Sequence, residues 1–299
     1  MAEPIRNIGA SVRARLQALA KQENVQFQLL LTRYVLERFL HRLSLTPYRD
    51  RFVLKGAMLV TTWFSAQYRA TRDIDLLGFG DPEPAKILSV FTEICGISVD
   101  DGVTFDLAAL RSDPIREHIE YGGLRVRTYA DLGGARVGVI VDIGFGDAVE
   151  PGIEEIDLPV LLDRPAPRLR AYPREAVIAE KFHAVVIQGR ANTRMKDYYD
   201  VWMLSRTYEF REDRLGRAIA ATFARRHTTI PSEVPDGLGD GFARDPVPLR
   251  QWADFMADIG MPPVSLAEVI DDLAAFLMPN AAEARAIAAR EQEQGARDG

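Results

Sequence analysis

Arg72-Asp73-Ile74-Asp75-Leu76-Leu77 decides how this chain is read. Successive residues of a strand point to opposite faces, so a strand over 73–77 carries Asp73 and Asp75 on one face and Ile74 and Leu76 on the other. Two carboxylates held that close repel, and each disfavours the other's ionisation. A divalent cation removes the conflict, because hard ions such as Mg²⁺ take carboxylate oxygens and complete their shell from substrate phosphates. The pair reads as a metal-dependent phosphate-handling site. An Asp-x-Asp pair by itself also occurs on solvated strand ends, so the surrounding chain must supply the context.

Upstream, Phe52-Val53-Leu54 is a short apolar run, and Lys55-Gly56-Ala57 leads into a helix over 58–64. Downstream, Gly78, Gly80 and Pro82 close the strand, and Ile87, Val90, Phe91 and Ile94 mark the inner stripe of a helix over 83–95. Apolar periodicity predicts helices at 6–22 and 25–43 before the motif. Strands are expected at 97–99, 103–105, 124–129, 135–143 and 156–162, with Asp131-Leu132-Gly133-Gly134 turning a hairpin. Pro165 and Pro167 mark a boundary. Beyond it the pattern is helical at 174–188, 195–206, 211–226, 247–257 and 265–278, with 228–246 a long loop and 280–299 a frayed helix or disordered tail. The expected class is α+β: a mixed sheet with flanking helices in an N-terminal domain over 1–165, then a helical domain over 166–299.

With 47% hydrophobic and 27% charged residues, the 299-residue chain has the make-up of a soluble globular protein. No window reaches the roughly 18 apolar residues of a membrane span, and the N-terminus has no apolar signal region, so the expectation is a cytoplasmic protein away from membranes. The single cysteine, Cys95, excludes an internal disulfide framework and is expected to be buried and inert. The net charge of −6 is unevenly spread: residues 164–226 hold 14 Lys/Arg against 7 Asp/Glu, a local +7 that leaves −13 elsewhere. Most of these cations are Arg, whose planar fork suits phosphate; the alternative is a set of merely solvated helices.

Three further stretches extend the constellation. Asp142 lies in Val139-Ile140-Val141-Asp142-Ile143, where a carboxylate needs a partner or a cation. Joined to Asp73 and Asp75 through an adjacent strand, it would complete a three-carboxylate cluster for metal, or else it caps a strand end. Lys181 shares a helix face with Val177, Ala184 and Val185, and so either snorkels to solvent or enters a polar pocket. In Arg194-Met195-Lys196-Asp197-Tyr198-Tyr199-Asp200, helical spacing puts Asp197, Asp200, Val201 and Leu204 on one face. Lys181 and Arg194 are the obvious partners for those carboxylates, in a buried ion-pair network or in a phosphate-contacting site.

Taken in order, Lys55-Gly56-Ala57, Arg69-Ala70-Thr71-Arg72-Asp73-Ile74-Asp75-Leu76, Val141-Asp142-Ile143, Glu180-Lys181-Phe182 and Arg194 to Asp200 resemble the motifs of the AbiEii/AbiGii abortive-infection toxins, of the polymerase-β-type nucleotidyltransferase superfamily. The resemblance covers about residues 5–280. It implies a nucleotidyltransferase-like sheet and the toxin half of a toxin–antitoxin pair, with a cognate antitoxin as partner. Characterised relatives transfer nucleotides from an NTP to tRNA 3′ ends, blocking translation. By residue, it implies Lys55, Gly56, Ala57 and Arg72 near the NTP, and Asp73, Asp75 and Asp142 as ligands of Mg²⁺ or Mn²⁺. Lys181 and Asp197 match the family's essential pair. Ala57 departs from the usual Gly or Ser, which removes a hydroxyl contact to phosphate but leaves a backbone N–H.

Arg190, Arg194 and Lys196 are expected to touch nucleic acid. The rival readings are an aminoglycoside-type antibiotic nucleotidyltransferase, a protein nucleotidyltransferase, and a non-catalytic nucleotide-binding partner protein. His41 and His118 read as surface residues. His183 reads as packing or surface, and His227 joins the basic surface. Trp63, Trp202 and Trp252 read as core.

Overall fold

The computed structural model describes residues 7–64, 71–115 and 123–298. Contacts divide the chain into two units: Met1–Gly146 with Glu154–Ala171, and Asp147–Ile153 with Tyr172–Gly299.

The first unit contains α1 (Ile8–Gln22), α2 (Phe27–Ser44), β1 (Phe52–Lys55), α3 (Gly56–Val60), β2 (Ile74–Gly78) and α4 (Pro84–Gly96), followed by β3 (Val103–Phe105), β4 (Arg111–Ile115), β5 (Gly123–Leu132), β6 (Ala135–Phe145), β7 (Glu154–Asp157) and β8 (Arg168–Ala171). The strands form one mixed sheet in the order β3-β5-β6-β2-β1-β8-β7, with β4 also paired to β5. β2 runs parallel to β6 and β1 parallel to β8; the other pairings are antiparallel. Alternation works within the strands: Ile74, Leu76, Val139, Val141 and Ile143 are buried, while Asp75 and Asp142 are half-buried on the other face; Asp73, expected in the strand, is a half-buried bend residue just before it. Gly133 and Gly134, at φ +56 and +82, make a two-residue turn that fixes the β5–β6 register at Leu132 opposite Ala135.

Helix α2 is buried nearly all round. Its charges are matched rather than exposed. Arg42 pairs with Asp101 at 2.7 Å and donates to the carbonyls of Ile97 and Val103, and Glu37 accepts from Arg33 at 2.9 Å and from the Leu161 N–H at 2.8 Å. His41, expected on the surface, is only 8% exposed on this helix. Burial raises the Glu37 pKa above the ordinary carboxylate value, with Arg33 opposing it.

The second unit is helical: α5 (Arg174–Gln188), α6 (Met195–Thr207), α7 (Glu212–Arg225), α8 (Asp240–Ala243), α9 (Pro246–Ile259) and α10 (Leu266–Asp298). Helix α7 packs against α5 and α10. Asp245 caps α9 by accepting from the Val247 N–H, and Gly260 ends it in the left-handed region.

Three expectations about elements are corrected. Residues 97–99 form no strand; the chain turns there as Asp101 enters the α2 layer to meet Arg42. Strands β4 and β8 are additional: β4 is polar and carries Pro114, tolerated at a sheet edge, and β8 lies beyond Pro165 and Pro167. The stretch 228–246 is not all loop, because Leu238 and Phe242 are buried and α8 forms around them. The stretch from 280 onward takes the helical alternative: α10 runs from Leu266 past Pro279 to Asp298.

Candidate functional site

In the first unit the strand registers assemble a row of charge. Lys55 on β1 is opposite Asp75 on β2, Asp75 is beside Asp142 on β6, and Asp142 is opposite Arg125 on β5. Side chains in register share a face, and adjacent strands lie about 4.8 Å apart. The row therefore reads plus, minus, minus, plus across four neighbouring strands, all half-buried. Asp73 stands two residues before Asp75, in a bend just outside β2, and its charge acts on Arg125 as that of Asp75 does.

Gly56 has a local reason to be glycine. Its φ is +68, and a Cβ there would lie 1.9 Å from Oδ2 of Asp75. The backbone at Gly56 closes directly on that carboxylate, which any side chain would displace.

Asp142 is not free. Arg125 donates from Nε to Oδ1 and from Nη2 to Oδ2, both at 2.6 Å, the bidentate fork that favours Arg over Lys. The Asp142 side chain is 17% exposed and that of Arg125 36%. Those hydrogen bonds hold the Arg125 pKa above its ordinary value, with Asp73 and Asp75 adding to the pull. Among the described residues no group of three or more His, Cys, Asp or Glu is arranged to hold a metal ion. Asp73 and Asp75 supply the hard oxygens a divalent ion favours, so they fit such an ion. Asp142 as placed does not, because both its oxygens face a guanidinium.

The second unit gathers a different group. Lys181 on α5 bonds Asp197 on α6 and meets Asp200 Oδ2 at 2.9 Å, while Arg194 Nε reaches the other Asp197 oxygen at 2.7 Å. Lys181 is 14% exposed, Asp197 1% and Asp200 3%. Asn192 positions the start of α6: its Oδ1 accepts from the Arg194 N–H and its amide donates to Tyr198. Burial would lower the Lys181 pKa, but Asp200 and Asp197 outweigh it, so the value lies above the ordinary one. Burial would raise Asp197, but Lys181 and Arg194 outweigh it and hold Asp197 low. Lys181, Asp197 and Arg194 are thus brought together as the helical spacing implied, with Asp200 as a further member.

Of the remaining expected residues, Lys55 and Ala57 are half-buried, and Arg72, Arg190, Arg194 and Lys196 are exposed. Arg69, Ala70 and His118 lie outside the described residues. Much of the basic segment is engaged in ion pairs: Arg168 with Glu155, Arg206 with Asp272, Arg214 with Glu175 and Arg226 with Glu180. His183 packs between Arg226 and Thr228, and burial together with Arg226 lowers its pKa to about 4. Burial pushes the Cys95 thiol up to about 12. Trp252 is buried, and Trp63 and Trp202 are half-buried. Arg125 is the residue that sequence reasoning missed; the β5–β6 turn held the signal, since counting back from it sets Arg125 against Asp142.

Two solved structures match the chain at low similarity. One is JHP933 from Helicobacter pylori, 16% identical over 91% of this chain and 98% of that one, with a TM-score of 0.48. The other is a proposed nucleotidyltransferase from H. pylori, 15% identical over 90% and 99%, also at 0.48. No curated protein matches the chain. No helix among the described residues is long and apolar enough to cross a membrane. The profile of the nucleotidyl transferase AbiEii toxin family, type IV toxin–antitoxin system, matches residues 38–277 and so spans both the sheet row and the Lys181 group. The chain belongs to that family: it is a nucleotidyltransferase toxin, and membership implies a cognate antitoxin.

Proposed function

We propose that this toxin transfers a nucleotidyl group from an NTP to the 3′ hydroxyl of tRNA in the cytoplasm, releasing pyrophosphate and blocking translation. The observation that carries this reading is the half-buried pair Asp73 and Asp75, both acting on Arg125, with the Gly56 backbone closed against Asp75. A bound Mg²⁺ or Mn²⁺ would supply Lewis-acid stabilisation of the phosphate oxygens at that face. Asp73 and Asp75 are assigned to hold it, and Gly56 keeps the space that the Asp75 carboxylate occupies. Lys181 is assigned to offset negative charge on the phosphates, oriented by Asp197. The acceptor hydroxyl gives its proton to water and its oxygen bonds to the α-phosphorus as the bond from that phosphorus to the α–β bridging oxygen breaks, pyrophosphate leaving with that oxygen. Arg190, Arg194 and Lys196 are assigned to the acceptor's backbone.

The test is incubation of purified protein with Mg²⁺, each of the four labelled NTPs and total tRNA. Label is expected to enter tRNA from at least one NTP. Asp75→Ala is expected to reduce the rate by about a thousandfold or more, since several kcal/mol of metal-borne stabilisation are lost and each ~1.4 kcal/mol is tenfold. Its melting temperature should be unchanged or higher, because one of two repelling carboxylates is gone. Label growth by Asp75→Ala at the wild-type rate would refute the reading.

A further inference from the structure

The third carboxylate of the row has a partner that the family reading leaves without a task. Both Asp142 oxygens are taken by one guanidinium in its strongest geometry. The registers that align Asp75 with Asp142 also align Asp142 with Arg125, so the cation sits at the end of the acidic pair, where a second metal ion would otherwise draw on Asp142. Arg125 also feels the charge of Asp73 and Asp75. We propose that Arg125 is a positioning residue that holds Asp142 out of the metal-ligand set, so that the row carries its balancing charge as a guanidinium and takes up one divalent ion on Asp73 and Asp75 rather than two. This rests on the metal-dependent reading above.

Arg125 is suited to that task and to releasing it. At 36% exposure its side chain can swing into solvent without leaving a buried charge, and the backbone of β5 stays paired on either side. Asp142 is less exposed and has no comparable escape. The state of the Asp142 carboxylate therefore depends on Arg125 rather than the reverse.

The experiment is Mn²⁺ titration of the intact protein, followed by electron paramagnetic resonance, for wild type, Arg125→Leu, Arg125→Lys, Asp75→Ala and the double variant Arg125→Leu/Asp142→Asn. Thermal melts accompany each to confirm folding. Wild type should bind one Mn²⁺. Arg125→Leu should bind a second ion, or bind about 10- to 100-fold tighter, the range by which residues that orient metal ligands change affinity. Arg125→Lys, which keeps the charge without the fork, should fall between. The double variant should return to one ion, because the gain is assigned to Asp142 and not to loss of positive charge alone. Unchanged stoichiometry and affinity in Arg125→Leu would overturn the proposal, as would two ions in wild type or a gain that survives Asp142→Asn. If Asp75→Ala loses Mn²⁺ while Arg125→Leu matches wild type, the proposal falls and the metal-dependent reading stands. If no variant binds Mn²⁺, both fall.

Discussion

The sheet row and the helical ion group use the same chemical parts under opposite conditions. On the sheet, Lys55, Asp75, Asp142 and Arg125 lie half-open. Between α5 and α6, Lys181, Asp197 and Asp200 are almost fully enclosed. Water screens the first set more than the second, so its pairings contribute less to stability. The second set has lost its water, and each charge depends on the others. Exposure thus separates a half-buried row from an enclosed group, although both were read from the sequence as one constellation.

The largest expected effect breaks the enclosed group. Lys181→Met leaves Asp197 and Asp200 facing one another in a buried place, and should destabilise the protein by about 3–5 kcal/mol, measured by urea unfolding at pH 7. A loss under about 1 kcal/mol would mean that Arg194 and water carry the carboxylates unaided. The pH dependence should change sign as well. In wild type, Asp197 sits below its ordinary pKa, so its contribution is complete above that ordinary value and is lost as pH falls through the depressed one. Lys181 sits above its ordinary pKa, so its contribution is complete at neutral pH and is lost only in strong alkali. In Lys181→Met, burial is left to raise Asp197, and acidification should restore stability by protonating it. The gap between wild type and variant should therefore narrow from pH 7 to pH 5; a gap that widens would contradict the assignment.

A smaller effect sharpens the sheet side of the comparison. Gly56→Ala places a side chain in the left-handed region, at about 1–2 kcal/mol, and drives it into the Asp75 carboxylate. Stability should fall by about that amount. Activity should fall further, about a hundredfold, since a misplacement near 1 Å at a reacting centre has that effect. Gly56→Ala and Lys181→Met should therefore divide: one loses mostly rate, the other loses fold as well. Equal losses of stability in the two would erase the distinction between row and enclosed group.

The legible parts of this molecule are those set by local periodicity. Helices α1 and α5 follow their 3.6-residue stripes, and the alternation in β2 places Asp75 opposite Ile74 and Leu76 as read. The face of α6 that carries Asp197, Asp200, Val201 and Leu204 was equally readable, because one helix decides it. Arg125 was within reach as well: with Leu132 facing Ala135 across the Gly133-Gly134 turn, seven residues back on one strand and seven onward on the other pair Arg125 with Asp142. What stayed hidden depends on partners distant in sequence. Arg42 and Glu37 look like surface residues of an amphipathic helix, and charged side chains are rarely buried unless paired. Their partners, Asp101 and the Leu161 N–H, are supplied by the folded chain alone. β4 is polar and carries a proline, so no alternating apolar pattern forms in it, and β8 alternates Arg with Leu169 and Ala171 over only four residues, too short a run to stand out.

The smallest expected effect tests whether the basic segment divides along the same line. Lys196 is exposed, whereas Arg206, also exposed, is held by Asp272 at 2.9 Å and lies over the Trp202 ring. Neither Lys196→Ala nor Arg206→Ala should move stability by more than about 0.5–1 kcal/mol, as expected of surface positions and exposed ion pairs. Their effects on tRNA should differ. A lysine that neutralises a phosphate releases a counterion on binding, so Lys196→Ala should lower tRNA affinity and reduce the slope of log K against log salt by about 1. Arg206 is already neutralised within the protein and releases none, so Arg206→Ala should leave the slope where it was. Filter binding across a salt series measures both. Equal slopes for Lys196→Ala and wild type would remove Lys196 from the acceptor surface. A lowered slope for Arg206→Ala would mean that an internal ion pair opens to bind tRNA, and that the half-open and enclosed charges differ by degree rather than by kind.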